Sequence, residues 1–159
     1  MAAPSATARG TPGGIKLKDG YRSTITFARF QTVKFWEKQV QPVGFDGGDA
    51  IEQTTMFNDD YMTKAPQSLI DTVDGSATVA YDPAVLSQIA AMINIEDTIT
   101  YTFKDGSTWA VFGYLKEFTP QGLEIGSQPE AEITIVHTNV DFANDDVEAG
   151  PTVTSVAGT

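Results

Sequence analysis

Ile99, Tyr101 and Phe103 alternate with Thr98, Thr100, Thr102 and Lys104. This period of two commits the stretch to a β-strand with one face buried and one wet. Asp105-Gly106 follows, and a second run, 107–118, carries Trp109, Val111, Phe112, Tyr114 and Leu115. A DG pair between two such runs is a strong hairpin signal, because tight turns between strands need residues that accept positive φ. Ala131, Ile133 and Ile135 alternate with Glu130, Glu132 and Thr134 in a further strand, and Ala77, Val79 and Tyr81 mark a shorter one. Near the front, 21–30 and 33–40 read as two more strands, the second placing Phe35 and Trp36 on opposite faces. Either both aromatics are covered within the subunit, or one is covered by a neighbour.

One helix interrupts the strands. Asp82 is a candidate N-cap and Pro83 fits the first helical position, where its missing N–H costs nothing. Val85, Leu86, Ile89, Met92 and Ile93 recur at helical spacing over 83–93, and Asn94 can close the C-terminus. The order β-β-long loop-β-β-α-β-β-β predicts a mainly β (α+β) protein. Its expected form is an antiparallel β-sandwich flanked by one short α-helix. Residues 1–14, with Pro4, Gly10, Pro12, Gly13 and Gly14 among small polar neighbours, read as a flexible arm. Residues 15–138 form the domain. From 139 to 159, Asp141, Asp145, Asp146 and Glu148 meet no basic residue, which reads as an acidic tail or strap.

Charge narrows the classes of function. The 159 residues hold 10 Lys+Arg against 21 Asp+Glu, a net charge of −11. Wrapping nucleic acid needs a basic patch that displaces counterions, and an anionic membrane surface also selects for basic residues. Neither suits this chain. No apolar run approaches the roughly 18–20 residues that cross a bilayer, and the start, 1–10, lacks the apolar core of a secretory signal. Cysteine is absent, which removes disulfides, thiolate metal sites and cysteine nucleophiles together.

Catalytic patterns are thin. His137 is the one histidine, near a strand end, and no serine stands in a G-x-S-x-G setting. Asp46, Asp49 and Glu52 suggest a calcium loop, but lack the D-x-D-x-D-G alternation that wraps one ion. Gly44, Gly47 and Gly48 lack the strand-to-helix step and the Lys-Ser/Thr of a phosphate cradle. No catalytic, cofactor or metal residue is assigned.

The informative stretch is 38–72, a long connection with few core-type positions, broken by Pro42, Gly44, Gly47, Gly48 and Pro66. Loops of this length inside a compact domain are usually functional. Within and just before it stand Phe35-Trp36-Glu37-Lys38, Gly47-Gly48-Asp49, Ile51, Thr54-Thr55-Met56 and Asn58, followed by Thr63-Lys64-Ala65-Pro66. Further matches are the run from Ser76 to Pro83, Asp105-Gly106-Ser107-Thr108, and Gln128-Pro129-Glu130-Ala131. Over about 21–138 this pattern resembles the tail tube (major tail) proteins of long-tailed, siphovirus-type bacteriophages.

That resemblance implies a structural virion protein assembled in the bacterial host cytoplasm. Such proteins form homohexameric rings whose inner strands close into one barrel. Rings stack into a hollow tail tube that conducts the genome, alongside tail terminator, distal tail and tape measure proteins. Genomic DNA passes without tight binding, as an acidic wall favours. No cofactor, metal or membrane enters. On this reading Phe35 and Trp36 are the subunit-interface candidates. Phe45, Asp46, Asp49, Phe57, Tyr61 and Met62 form a ring-to-ring loop, and Glu52 and Thr54 on a strand-like stretch, 51–56, face the lumen, with Gln53 and Thr55 as the alternate set. Rival readings are a type VI secretion tube-like ring protein, a head decoration or tail-completion protein, or a carbohydrate-binding β-sandwich using Trp36, Trp109 and Tyr114 as platforms.

Overall fold

The computed structural model describes residues 22–33, 35–104 and 106–154. The arm expected over 1–14 and Asp105 of the DG pair lie outside the described residues. Along the chain come β1 (Thr24–Phe27), β2 (Trp36–Gln41), β3 (Gly44–Asp46), β4 (Ile51–Glu52), β5 (Lys64–Ala65), β6 (Asp71–Val73) and β7 (Gly75–Ala80). A 3₁₀ turn (Pro83–Val85) leads into α1 (Leu86–Met92). Then follow β8 (Asp97–Thr102), β9 (Thr108–Pro120), β10 (Glu130–His137), β11 (Val140–Asp141), β12 (Val147–Glu148) and β13 (Thr152–Thr154). The mainly β, antiparallel expectation with one short helix holds.

The main sheet runs β1-β8-β9-β10-β7-β2, every pairing antiparallel, and β13 pairs with β9 beyond the end of β10. The expected β8–β9 hairpin is present. Gly106, at φ +89°, donates its N–H to the Phe103 carbonyl at 3.0 Å, and Phe103 N–H donates to Ser107 C=O at 2.9 Å. The two outer strands approach each other across a seam. Ile25 N–H donates to Glu37 Oε1 at 3.0 Å, and the Phe27 and Phe35 rings meet edge to face, 6.3 Å between centroids. The sheet is therefore rolled, and the two layers expected of a sandwich are halves of one sheet around one core.

Alternation decides what fills it. Ile99 and Tyr101 of β8, Val111 and Leu115 of β9 and Ile133 and Ile135 of β10 are buried while their neighbours in sequence are less so, and Val79 of β7 is buried beside Ala80. Each such side chain contributes about 1.5–3 kcal/mol on burial. Two bulges adjust the pattern. On β9 the register skips Lys116, so inward positions shift from odd to even and Phe118 reaches Phe35 and Tyr81. On β2 it skips Lys38, which lets both Glu37 and Val40 turn toward the core.

The helix forms where its cap was expected but opens more tightly. Asp82 Oδ1 accepts the Ala84 N–H at 2.9 Å, the first turn is 3₁₀, and only Leu86–Met92 is α-helical. Ile89 and Met92 are its buried residues. Asn94, at φ +63°, then donates its N–H to Leu115 C=O at 3.0 Å, tying the helix exit to β9. β11 pairs with β12, and β13 then lies along Thr108, Trp109 and Ala110 of β9.

Gly113 of β9 faces β10 so tightly that an added Cβ would stand 2.2 Å from the Val136 carbonyl oxygen. A backbone carbonyl cannot swing aside as a flexible side chain can. Gly113→Ala should therefore cost about 1–3 kcal/mol of stability, read as a lower denaturant midpoint at unchanged m-value.

Candidate functional site

The long connection is an ordered hairpin arm. β2 continues past Val43, which is buried, into β3, and β3 pairs with β6 through Gly44↔Val73, Phe45↔Thr72 and Asp46↔Asp71. Asp46 Oδ1 accepts the Gly48 N–H at 2.8 Å, an Asx turn that bends the chain, and Gly48 sits at φ +75°. A second pair follows, β4 with β5, through Ile51↔Ala65 and Glu52↔Lys64. Gln53 N–H donates to Thr63 C=O at 2.9 Å and extends that ladder.

Asn58 organises the tip. Its Oδ1 accepts from Thr55 N–H at 2.9 Å, and its Nδ2 donates to the Tyr61 carbonyl at 2.8 Å. Thr54 Oγ1 accepts the Thr63 N–H at 3.1 Å. These bonds hold the backbone while the large side chains point away. Met56 is 100% exposed and Phe57 94%, with Tyr61, Met62 and Ile51 also exposed. Leu69 and Ile70 are exposed nearer the root. Phe45 is half-exposed and packs edge to face on Trp109, 5.6 Å between centroids, anchoring the root to the start of β9. An ordered segment that keeps so many large apolar groups in water is a surface that awaits a partner.

The remaining expectations divide. Phe35 is 6% exposed and belongs to the core, against Phe27 and Phe118, so it is not available to a neighbour. Its burial is complete within the chain because it precedes β2 and turns inward. Trp36, at 69%, is the exposed member of the pair, on the outer face beside the Lys38–Glu130 ion pair. Of the strand-like stretch 51–56 only Ile51–Glu52 is strand, and Glu52 and Thr54 both lie on the arm, outside the rolled sheet. Polar alternation alone cannot separate an arm strand from a wall strand.

Asp46 is spent on its own turn, and Asp46, Asp49 and Glu52 are not gathered. Among the described residues no group of three Asp, Glu or His side chains is placed to hold a metal ion. Trp36, Trp109 and Tyr114 share no platform. Trp36 lines a cleft with Arg22 and Glu37, Trp109 lies beneath Phe45, and Tyr114 lines another cleft with Arg29 and Phe142. His137 faces the core, its Nε2 3.2 Å from the Tyr101 hydroxyl. Its Nδ1 is buried without a well-formed hydrogen bond, although the Val73 backbone lies near enough to favour protonation. Burial dominates and lowers its pKa from the usual 6.5, while Val73 and Asp74 oppose that shift.

Sequence reading passed over Leu69 and Ile70 on the arm, and Leu123 and Ile125 between β9 and β10, all exposed. The available signal was aliphatic residues inside glycine-containing segments that follow no period.

Comparison with known proteins gives structural likeness alone. No family model matches the chain, and no curated protein matches it. A chain of the PVC sheath–tube complex of an extracellular contractile injection system, in its extended state, superposes with a TM-score of 0.56. The match is 16% identical and covers 97% of this chain and 100% of that one. A chain of the six-fold symmetrised baseplate of the anti-feeding prophage gives a TM-score of 0.56 at 6% identity, covering 87% and 94%. This chain shares its fold with components of phage-tail-like contractile injection systems.

Two outcomes follow from the placements above. Trp36→Glu should change stability by less than about 0.5 kcal/mol, whereas Phe35→Glu should unfold the subunit, both read by circular dichroism melts. His137 binds a proton less readily folded than unfolded, so stability is complete above pH 6.5 and declines as pH falls from there toward the lower folded pKa. Denaturant midpoints across that window should show this component in the wild type and not in His137→Gln.

Proposed function

We propose that the chain is a structural subunit of a tail tube, forming hexameric rings that stack into a hollow conduit. The ordered arm carries this reading. Its backbone is satisfied internally while Met56, Phe57, Tyr61 and Met62 remain in water, which suits a segment that reaches an adjacent ring. Burying such groups against another subunit releases the stabilisation they forgo in the monomer. Trp36, exposed on the outer strand β2, is the candidate for contacts within a ring.

The fold it shares with chains of the PVC sheath–tube complex and the anti-feeding prophage baseplate supports membership of a tail-like assembly. The motif resemblance to siphovirus major tail proteins adds genome ejection in a virion, with tail terminator, distal tail and tape measure proteins as neighbours. An excess of acid over base, net −11, keeps a passing polyanion from adhering to the wall. A second reading, the tube of a contractile injection system, draws on the sheath–tube likeness. Such a tube would present its outer surface to a sheath.

Negative-stain microscopy of the purified chain should show rings and tubes. Hydrogen exchange should be fast at the arm tip in isolated subunits and slow in tubes. Phe57→Asp should leave the subunit folded and rings intact while raising the concentration needed for tubes at least tenfold. Tubes from Phe57→Asp at the wild-type concentration, with an unprotected tip, would remove the arm from the ring-to-ring contact.

A further inference from the structure

Leu123 and Ile125 lie in the loop 121–129 that joins β9 to β10, and the assembly described above makes no use of them. Gln121 N–H donates to Glu130 C=O at 2.8 Å and closes the ladder beneath the loop. Ser127 N–H donates to Glu124 C=O at 3.3 Å, with Gly126 at φ +85°, so Ile125 stands near the apex of a defined turn. Its side chain is fully exposed, and Leu123 is 74% exposed. A Leu–Ile pair displayed on a hydrogen-bonded turn is a second apolar surface, separate from the arm.

The register fixes where the two surfaces are rooted. β9 has 13 residues, which at about 3.3 Å each makes it roughly 40 Å long. Phe45, in the root of the arm, packs on Trp109 near the start of β9. Gly75, where the arm rejoins the sheet, pairs with Ile135 toward the far end of β10. The loop 121–129 follows the other end of β9 and precedes Glu130, the start of β10. Two different apolar surfaces rooted at opposite ends of one chain suit head-to-tail association, which extends indefinitely because neither surface pairs with itself.

We propose that Leu123 and Ile125 are the receiving surface for the arm tip of a second copy of this chain, docking Met56, Phe57, Tyr61 and Met62 across the ring-to-ring seam. This rests on the tube reading and names the partner of the arm within it. Both surfaces carry acid, Asp59 and Asp60 at the tip and Glu124 on the loop. Attraction is therefore apolar and the charges oppose it, so screening by salt strengthens the contact. Six copies acting in parallel make a small contact per subunit sufficient for stacking.

The chain contains no cysteine, which allows a direct test. Phe57→Cys protein is mixed with Ile125→Cys protein, assembled and oxidised, and a disulfide linking the two species should outweigh either self-pair. A Leu123→Glu/Ile125→Glu variant should stop at rings where the wild type forms tubes, and added salt should lower the wild-type concentration for stacking. Tubes from the double variant at the wild-type concentration, or wild-type-like tubes without the mixed disulfide, overturn this contact and leave the tube reading standing. If the unaltered chain forms neither rings nor tubes, the tube reading falls and this contact falls with it.

Discussion

Strand β9 is hydrogen-bonded along nearly its whole length, and both halves of the fold are placed by it. Its first half pairs with β8 and β13, its second with β10, and Gly113 is where the two halves meet. A strand that changes partners midway must shift its inward face, and the bulge at Lys116 does so. With the bulge, Val111 and Leu115 face the core before it and Phe118 after it. Without it, Phe118 would face water and Glu117 the interior. The helix exit depends on the same strand, because Asn94 bonds to the Leu115 carbonyl.

The arm differs from the body in what holds it. In the main sheet, burial of aliphatic side chains accompanies the pairings of β7, β8, β9 and β10. In the arm, short ladders and the Asn58 side chain satisfy the backbone, and apolar burial is confined to the root, at Val43 and Phe45. Segments with few buried contacts open locally at low free energy. The arm is thus ordered enough to present a fixed shape and free enough to adjust when a partner covers it.

Much of the body was legible because burial there follows a period. The alternations at 98–104 and 130–135 and the capped helix at Asp82 each appear where sequence placed them. What stayed hidden depends on contacts distant in sequence. Phe35 and Trp36 look equivalent one residue apart, and only the approach of Phe27 and Phe118 decides which is interior. The arm strands are two or three residues long, too short for periodicity to register, so the stretch reads as loop. For that reason the strand expected over 51–56 is realised only at Ile51–Glu52. Leu123 and Ile125 were missed because a hairpin loop carries no face against which an apolar residue looks misplaced.

The seam between β1 and β2 has a mechanical meaning. Elsewhere neighbouring strands of the roll share continuous ladders, and pulling along them loads many hydrogen bonds at once in shear. Across the seam, among the described residues, the backbone-to-carboxylate bond from Ile25 to Glu37 is backed by the contact of two aromatic rings. Burial raises the Glu37 pKa, so protonation removes the carboxylate's charge more readily than on an exposed glutamate. Tension directed around the roll therefore concentrates on this line. Tension along the strands is carried by the whole sheet. The subunit is stiff lengthwise and compliant in girth, with the hinge of that compliance at a titratable side chain.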